Sequence, residues 1–191
     1  MSAPKRSVAP KTGPRPARSR ATSLVLVNTG DGKGKTTAAL GTALRAAGRG
    51  LRVCVVQFLK SPSWKVGEAK AGRELGIDWW TLGDGFTWDS KDMERTQAAA
   101  VDAWKAARAK LSSGDYDLVV LDEITYPITW GWIPDGDVVE ALRARPPHVN
   151  VILTGRDAPA ALIEAADTVT EMVKTKHAFD SGIAAVKGID L

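Results

Sequence analysis

Six short runs of apolar and β-branched residues recur along the chain and predict buried β-strands. Each run spans four to seven residues, which is shorter than a typical helix, and polar or glycine-containing segments separate the runs. The predicted strands are residues 24–27, 52–58, 77–82, 117–121, 150–154 and 167–173.

Between these runs, apolar residues and alanines are spaced as on one face of a helix. The predicted helices are residues 36–48, 68–75, 91–111, 135–145 and 159–166. The third of these is the longest, and we expect Trp104 to lie on its buried face. The residues predicted for that face are Met93, Gln97, Ala100, Val101, Trp104 and Leu111.

Strands that alternate with helices predict an α/β fold, because a crossover helix is the usual connection between parallel strands. We expect a mainly parallel sheet of about six strands with helices on both faces. In such sheets ligands bind beyond the carboxyl ends of the strands. The segments that follow the predicted strands are therefore the first candidates for a functional site.

The segment TGDGKGKTT, residues 29–37, follows the first predicted strand and opens the first predicted helix. It resembles the phosphate-binding loop G-x-x-x-x-G-K-[ST], but Thr29 stands where the first glycine belongs, so the loop reads G-x-x-x-G-K-T. Glycines permit positive φ angles that turn backbone amides inward, and the start of a helix attracts an anion. We therefore expect a nucleoside triphosphate at this loop, on a P-loop NTPase-like fold.

Side chains at the same edge of the sheet complete the predicted phosphate site. Lys35 offers a point charge, the Thr36 hydroxyl can reach a magnesium ion, and Lys33 adds a cation that the motif does not require. Arg156 follows the 150–154 strand and either contacts the phosphates or forms a surface ion pair. The predicted ATP-binding residues are Gly30, Asp31, Gly32, Lys33, Gly34, Lys35, Thr36, Thr37 and Arg156.

Asp122 and Glu123 follow the apolar strand 117–121 and are the predicted acidic partners of the loop. An acid at a strand end is the usual partner of the magnesium ion in such sites. Hydrolysis of ATP, or phosphoryl transfer to a small molecule, is the generic expectation, with Glu123 as the base. The shortened loop would seat the phosphates differently, which argues against attack on the γ-phosphate.

Composition narrows the class of protein. No apolar run in the 191 residues approaches the ~18–20 residues of a membrane span, and 44% hydrophobic with 25% charged residues is typical of a globular protein. The single cysteine, Cys54, lies in a predicted strand, where we expect a buried thiol. These features favour a cytoplasmic protein without a membrane partner.

The net charge of +4 is unevenly distributed along the chain. Residues 1–20 contain six Lys or Arg, four Pro and no acid, so the remaining residues carry a net charge of −2. We expect residues 1–22 to be a disordered basic tail and residues 23–191 to form the folded domain. A solvated tail is favoured over a nucleic-acid-binding one, since the folded part offers no broad basic surface.

Seven tryptophans are a high number for this length, and most of them lie in or beside connections. Phe86 and Trp88 stand two apart in the segment LGDGFTWDS, residues 82–90, which directs both rings the same way if the segment is extended. From the residues alone, these rings either contact a flat ligand or a partner, or pack beneath a long loop.

Several segments, taken in order over about residues 23–191, resemble the ATP:corrinoid adenosyltransferases of the cobalamin pathway. The shortened phosphate loop is part of that family's pattern, which makes the match more specific than a generic nucleotide loop. The segments are TGDGKGKTTAALGTALRAAG, VVQFLK, GFTWDS, VVLDEITYPITWGWIP, ALRARPPHVNVILTGR and KHAFDSGIAAVKGIDL.

The resemblance implies transfer of the 5′-deoxyadenosyl group of ATP to Co(I) of a corrinoid such as cob(I)yrinic acid a,c-diamide, cobinamide or cobalamin. Attack would fall on the ribose C5′, and the triphosphate would leave intact. ATP and the corrinoid are then substrates, with Mg²⁺ as the cofactor and no flavin or haem belonging to the protein.

The resemblance also implies residue roles. Lys35, Lys33 and the loop amides would stabilise the leaving triphosphate, with magnesium held by Thr36 and Glu123 and more remotely by Asp122. The predicted catalytic residues are Lys35, Glu123, Phe86 and Trp88. Phe86 and Trp88 would bind the corrinoid and exclude its lower axial ligand, because loss of that ligand favours reduction of Co(II).

The family further implies a homodimer and a flavoprotein that reduces Co(II) to Co(I). Tyr126 and His177 lie in matching segments, and we expect a structural role for each.

Overall fold

A computed structural model describes residues 21–60, 66–83, 85 and 93–190. Within these ranges the chain forms six strands and six helices, and the six strands agree with the predicted ones to within a few residues. The strands are β1 (Val25–Thr29), β2 (Val53–Gln57), β3 (Asp78–Thr81), β4 (Leu118–Asp122), β5 (Asn150–Thr154) and β6 (Thr168–Glu171). The helices are α1 (Lys35–Ala47), α2 (Gly67–Glu74), α3 (Met93–Ser113), α4 (Thr125–Thr129), α5 (Asp135–Ala144) and α6 (Ala160–Ala165).

The strands form one parallel sheet in the order β3-β2-β4-β5-β1-β6. The α/β prediction is therefore confirmed, including the six-strand parallel sheet. Side chains alternate between two apolar clusters: Val55, Val120 and Ile152 face α1 and α2, whereas Val56 and Leu121 face the other side of the sheet. Helices cover both faces, as predicted.

One polar residue from each strand lies in a single row near the carboxyl edge of the sheet. Gln57 is in register with Thr81 on one side and Asp122 on the other, and Asn28 is in register with Thr154. Because Leu121 pairs with Leu153, Asp122 stands next to Thr154, and Thr170 continues the row beyond Asn28. Gln57, Asp122 and Thr154 are almost completely buried. The row therefore places polar groups inside the sheet, directly beneath the predicted site.

The buried face of α3 differs in part from the predicted one. Trp104, Ala100 and Leu111 are buried, but Met93 is 50% exposed and Gln97 is exposed. The remaining buried positions of α3 are Thr96, Ala103 and Ala107. The sequence-based choice favoured large side chains, whereas a helix that lies close to a sheet needs small residues such as alanine at the contact.

The short helix α4 was not predicted. It contains Pro127 and spans only five residues, so it has no helical repeat that a sequence pattern could reveal. Cys54 is buried in β2, as predicted. The predicted tail lies outside the described residues except for Ala21 and Thr22. Within the described ranges, no helix combines the length and the apolar character that crossing a membrane requires.

Candidate nucleotide-binding site

The glycine loop connects the carboxyl end of β1 to the start of α1. Gly30 and Gly34 have φ angles of 90° and 114°, which favour glycine. Gly34 is the N-cap of α1, and no side chain caps the helix. The first amides of a 13-residue helix therefore face the loop, which makes this end favourable for an anion. The predicted strand–loop–helix arrangement is confirmed.

Gly32 plays a different part from the one predicted. Its φ is not positive, and its amide donates to the carbonyl of Met172 at 2.6 Å. A Cβ atom at Gly32 would lie 2.6 Å from the Met172 oxygen and 2.9 Å from the Val173 carbonyl carbon. The expectation that all three loop glycines turn their amides inward is thus wrong for Gly32. Glycine is needed here because the segment after β6 approaches the loop closely.

Lys35 extends its ammonium group into the loop. Its Nζ donates to the carbonyls of Gly30 at 2.6 Å and Gly32 at 2.8 Å. Burial and the nearby Arg156 guanidinium lower the pKa of Lys35. The charge is therefore held at the centre of the loop, where a phosphate group would meet it.

Asp122 joins the loop to the sheet. Its Oδ1 accepts from the hydroxyls of Thr36 and Thr154, each at 2.8 Å, and its Oδ2 accepts from Gln57 Nε2 at 3.0 Å. The side chain is fully buried. Because protein donors already occupy both oxygens, Asp122 is suited to orient Thr36 rather than to bind a metal directly.

Glu123 turns towards the cleft with a φ of 65°, which is unusual for a residue with a side chain. Its amide donates to Thr154 Oγ1 at 2.9 Å, so the same threonine holds both members of the acidic pair. Burial, together with the neighbouring Asp122 carboxylate, raises the pKa of Glu123 to about 7.

Lys60 and Glu68 also line the cleft, and the sequence analysis did not select them. Lys60 Nζ lies 3.2 Å from Glu68 Oε1 and 3.8 Å from Asp122 Oδ2. Burial opposes the charge on Lys60, but the carboxylates of Asp122 and Glu68 outweigh it and raise the pKa. Lys60 follows β2 at the carboxyl edge of the sheet, so the rule that selected Arg156 could also have found it.

The loop, Glu123 and α2 border a cleft of about 740 Å³. One part of the cleft is polar and contains the loop, Lys60, Glu68 and Glu123. The other part is an apolar wall between α1 and α2. The residues of this apolar wall are Leu40, Leu44, Ala71, Leu75, Ile77 and Trp79.

Two further ion pairs lie at the mouth of the cleft. Arg156 Nε is 3.8 Å from Asp31 Oδ1, and both side chains are more than half exposed. Lys33 pairs with Asp190 near the end of the chain. For Arg156, the structure shows the ion pair beside the cleft, and contact with the phosphates stays a prediction.

Tyr126 and His177 also line the cleft. His177 Nδ1 accepts from the Phe179 amide at 3.2 Å and caps the 3₁₀ turn Ala178–Ser181, in agreement with the structural role expected for it. Burial raises the pKa of Tyr126. Phe86 and Trp88 lie outside the described residues.

The described side chains offer oxygen donors that fit a magnesium ion. Thr36 donates its proton to Asp122, which leaves its oxygen lone pairs available, and Glu123 offers a carboxylate in the same cleft. Across the described ranges, no group of three or more His, Cys, Asp or Glu side chains could hold a metal ion. Oxygen atoms of a bound triphosphate, together with water molecules, would therefore have to complete the coordination.

Comparison with known proteins identifies the family of the chain. The family model described as ATP:corrinoid adenosyltransferase BtuR/CobO/CobP matches residues 21–191. The chain is 44% identical to the corrinoid adenosyltransferase of Escherichia coli strain K12 over 167 residues, which cover 87% of this chain and 85% of the relative. The corrinoid adenosyltransferase CobA of Salmonella typhimurium has the same identity and coverage.

A corrinoid adenosyltransferase of Pseudomonas aeruginosa is 43% identical over 169 residues, covering 87% of this chain and 83% of the relative. Both the family model and these relatives extend over nearly all of the described residues. The chain therefore belongs to the ATP:corrinoid adenosyltransferase family.

Proposed function

We propose that this protein transfers the 5′-deoxyadenosyl group of ATP to the cobalt of a corrinoid. The observation that carries the proposal is the meeting of Lys35, Thr36 and Glu123 in one cleft, with Asp122 bonded to Thr36 from behind, in a chain of this family. In the reaction, Co(I) attacks the ribose C5′, a cobalt–carbon bond forms, and the C5′–oxygen bond breaks. The electron pair of that bond leaves with the triphosphate.

The protein's main task in this step is to stabilise the leaving triphosphate. Lys35 holds its charge inside the loop, and the amides at the start of α1 add hydrogen-bond donors. Lys33 and Arg156 lie at the mouth of the cleft. They can contact the outer phosphates once their ion pairs with Asp190 and Asp31 break. Gly30, Asp31, Gly34 and Thr37 complete the proposed ATP site.

Magnesium is part of the proposal. When bound, it would neutralise charge on the phosphate oxygens. Thr36 and Glu123 are its proposed protein ligands, and Asp122 orients Thr36 from behind. At pH values above about 7, Glu123 is ionised and ready to bind a cation.

For the corrinoid, we keep the roles that the resemblance implies for Phe86 and Trp88. Their apolar rings would bind beneath the corrin and exclude its lower ligand. Phe86→Ala and Trp88→Ala should then impair adenosylation that starts from cob(II)alamin with a flavoprotein reductant. They should matter much less when cob(I)alamin is supplied chemically. Equal losses in the two assays would contradict this role.

The proposal also includes a homodimer and an action in the cytoplasm. The segment after β6 supports the first, because it exposes large apolar side chains that a second copy could cover: Val173 is 74% exposed, Phe179 78% and Ile189 76%. The unpaired thiol of Cys54 agrees with a reducing compartment.

One experiment tests the transfer itself. Purified protein is mixed with ATP, magnesium and cob(I)alamin, the formation of adenosylcobalamin is followed by its absorption spectrum, and the nucleotide products are separated. We expect a cobalt–carbon bond and intact triphosphate in equal amounts. ADP and phosphate without adenosylcobalamin would instead support a P-loop ATPase or kinase with Glu123 as its base.

A further inference from the structure

The side-chain amide of Gln57 connects the acidic pair to the apolar wall of the cleft. Gln57 is 1% exposed, and its Nε2 donates to Asp122 Oδ2 at 3.0 Å. Its Oε1 accepts from the indole Nε1 of Trp79 at 3.0 Å and from the hydroxyl of Thr81 at 3.3 Å. A single buried side chain thus joins its own strand, β2, to the two neighbouring strands β3 and β4.

The orientation of this amide follows from the chemistry of its partners. An indole N–H can only donate, so the oxygen of Gln57 must face Trp79. The NH₂ group then faces Asp122, which must accept. A methionine at position 57 would keep the length of the side chain but could not donate to Asp122.

Asp122 and Trp79, the two partners of Gln57, each make a further contact with another part of the protein. Asp122 also accepts from Thr36, the proposed magnesium ligand. The ring of Trp79 lies against α2, where a Cβ atom at Gly72 would be 2.6 Å from Trp79 Cε3. Gln57 therefore stands between Trp79, which lines the cleft, and Asp122, which holds the cleft residue Thr36 from behind.

We propose that Gln57 is a positioning residue for the nucleotide site. It holds the Asp122 carboxylate against Thr36 and the Trp79 indole against the cleft, which sets the magnesium end of the site relative to the apolar wall. This inference rests on the proposed use of magnesium and ATP in the same cleft. Groups that orient metal ligands from behind typically contribute about 10–100-fold to metal affinity.

The first test compares ATP binding by calorimetry in excess magnesium and in EDTA. In Gln57→Met the donor to Asp122 is lost, while the length of the side chain is kept and no charge is added. We expect magnesium-dependent binding of ATP to weaken by about tenfold or more, with little change in EDTA. Val120→Ala is the control, since Val120 is fully buried on the same face of the sheet and its side chain has no polar atom that could join the hydrogen-bond network. Binding of magnesium-ATP within twofold of the wild type would overturn the proposal, as would an equal loss in EDTA.

A second variant keeps the test decisive if Gln57→Met does not fold. The double variant Trp79→Phe/Thr81→Val removes both donors to Gln57 Oε1 and leaves Gln57 and Asp122 in place. We expect magnesium-dependent ATP binding to weaken about threefold, because loss of neighbours that share one network couples their effects. Unchanged binding would show that the two ends of the site are independent.

Neither measurement needs a corrinoid. A wild-type protein that binds magnesium-ATP but forms no cobalt–carbon bond would therefore contradict the proposed function and leave the role of Gln57 open to the same test. Weak binding in the Gln57 variants, together with normal transfer by the wild type, would support both.

Discussion

The hydroxyl of Thr36 donates to Asp122 Oδ1 at 2.8 Å, although 86 positions separate the two residues. This bond fixes the start of α1 to the end of β4, two strands away from β1 in the sheet. It also decides which way the threonine oxygen points, because its only proton is used by Asp122. The lone pairs of that oxygen are then directed to the cleft, where a cation beside a triphosphate would need them.

Replacing Thr36 tests this arrangement. We expect Thr36→Val to weaken magnesium-dependent ATP binding by about tenfold or more, because the hydroxyl that faces the cation is lost. Thr36→Ser keeps the hydroxyl and should retain most of the affinity. Titration calorimetry with and without magnesium measures both. Equal affinities for the valine and serine variants would contradict a role for the hydroxyl.

The close approach of Met172 to the loop predicts a contrast between two glycines. Gly32→Ala would force a Cβ atom against the Met172 carbonyl, so we expect a lower Tm and weaker ATP binding. Gly41→Ala, in the middle of α1, meets nothing within 4 Å and should stabilise the protein by about 0.5–1 kcal/mol. Thermal unfolding of both variants checks the prediction, which fails if Gly32→Ala is as stable as the wild type.

The raised pKa of Glu123 makes stability depend on pH. Between its ordinary pKa of 4.5 and the folded value of about 7, the folded state binds more protons than the unfolded state. Stability contributed by this group is therefore greatest at low pH and is lost as the pH rises through about 7.

Glu123→Gln removes this dependence. In EDTA, we expect the free energy of unfolding of the variant, relative to that of the wild type, to rise by about 2 kcal/mol between pH 5 and pH 8. Magnesium-dependent adenosylation should fall sharply in the variant. Denaturant unfolding at the two pH values measures the first effect. If the difference in free energy of unfolding between the two proteins does not change with pH, the carboxyl of Glu123 is not buried beside Asp122 as the structure shows.

The buried thiol predicts low reactivity. Cys54 has no exposed surface, and burial raises its pKa to about 12, so almost no thiolate is present at neutral pH. We expect a maleimide reagent to leave the native protein unlabelled and fully active, and to label one thiol per chain after denaturation. Rapid labelling of the native protein would show that β2 opens readily.

The pair formed by Lys33 and Asp190 places an acid at the mouth of the cleft. Asp190→Asn should tighten ATP binding about two- to threefold at low salt, because it frees the lysine and removes a negative charge. High salt should abolish the gain by screening. Asp180→Asn is the matched control, since Asp180 pairs with Lys174 and does not line the cleft. A similar gain in that control would assign the effect to net charge alone.

Much of the site was accessible from local patterns. The glycine loop is one continuous stretch, residues 29–37, and its glycine spacing reveals it. The acids at 122 and 123 directly follow an apolar run, which marks the end of a strand. Lys60 was missed because a lone lysine after a strand has no motif, and Gln57 because a polar residue inside an apolar run gives no indication of its partners.

The amino-acid sequence alone determined the six strands, every described helix except α4 and the chemical nature of the loop, because alternation and helical period are properties of neighbouring residues. Only the tertiary structure decided that β4 lies between β2 and β5, which brings Gln57 and Thr154 to the two sides of Asp122. It also decided that Met172 meets Gly32 and that Glu123 has a raised pKa. These features depend on which distant segments pack together and on how much water they exclude, and no local pattern contains that information.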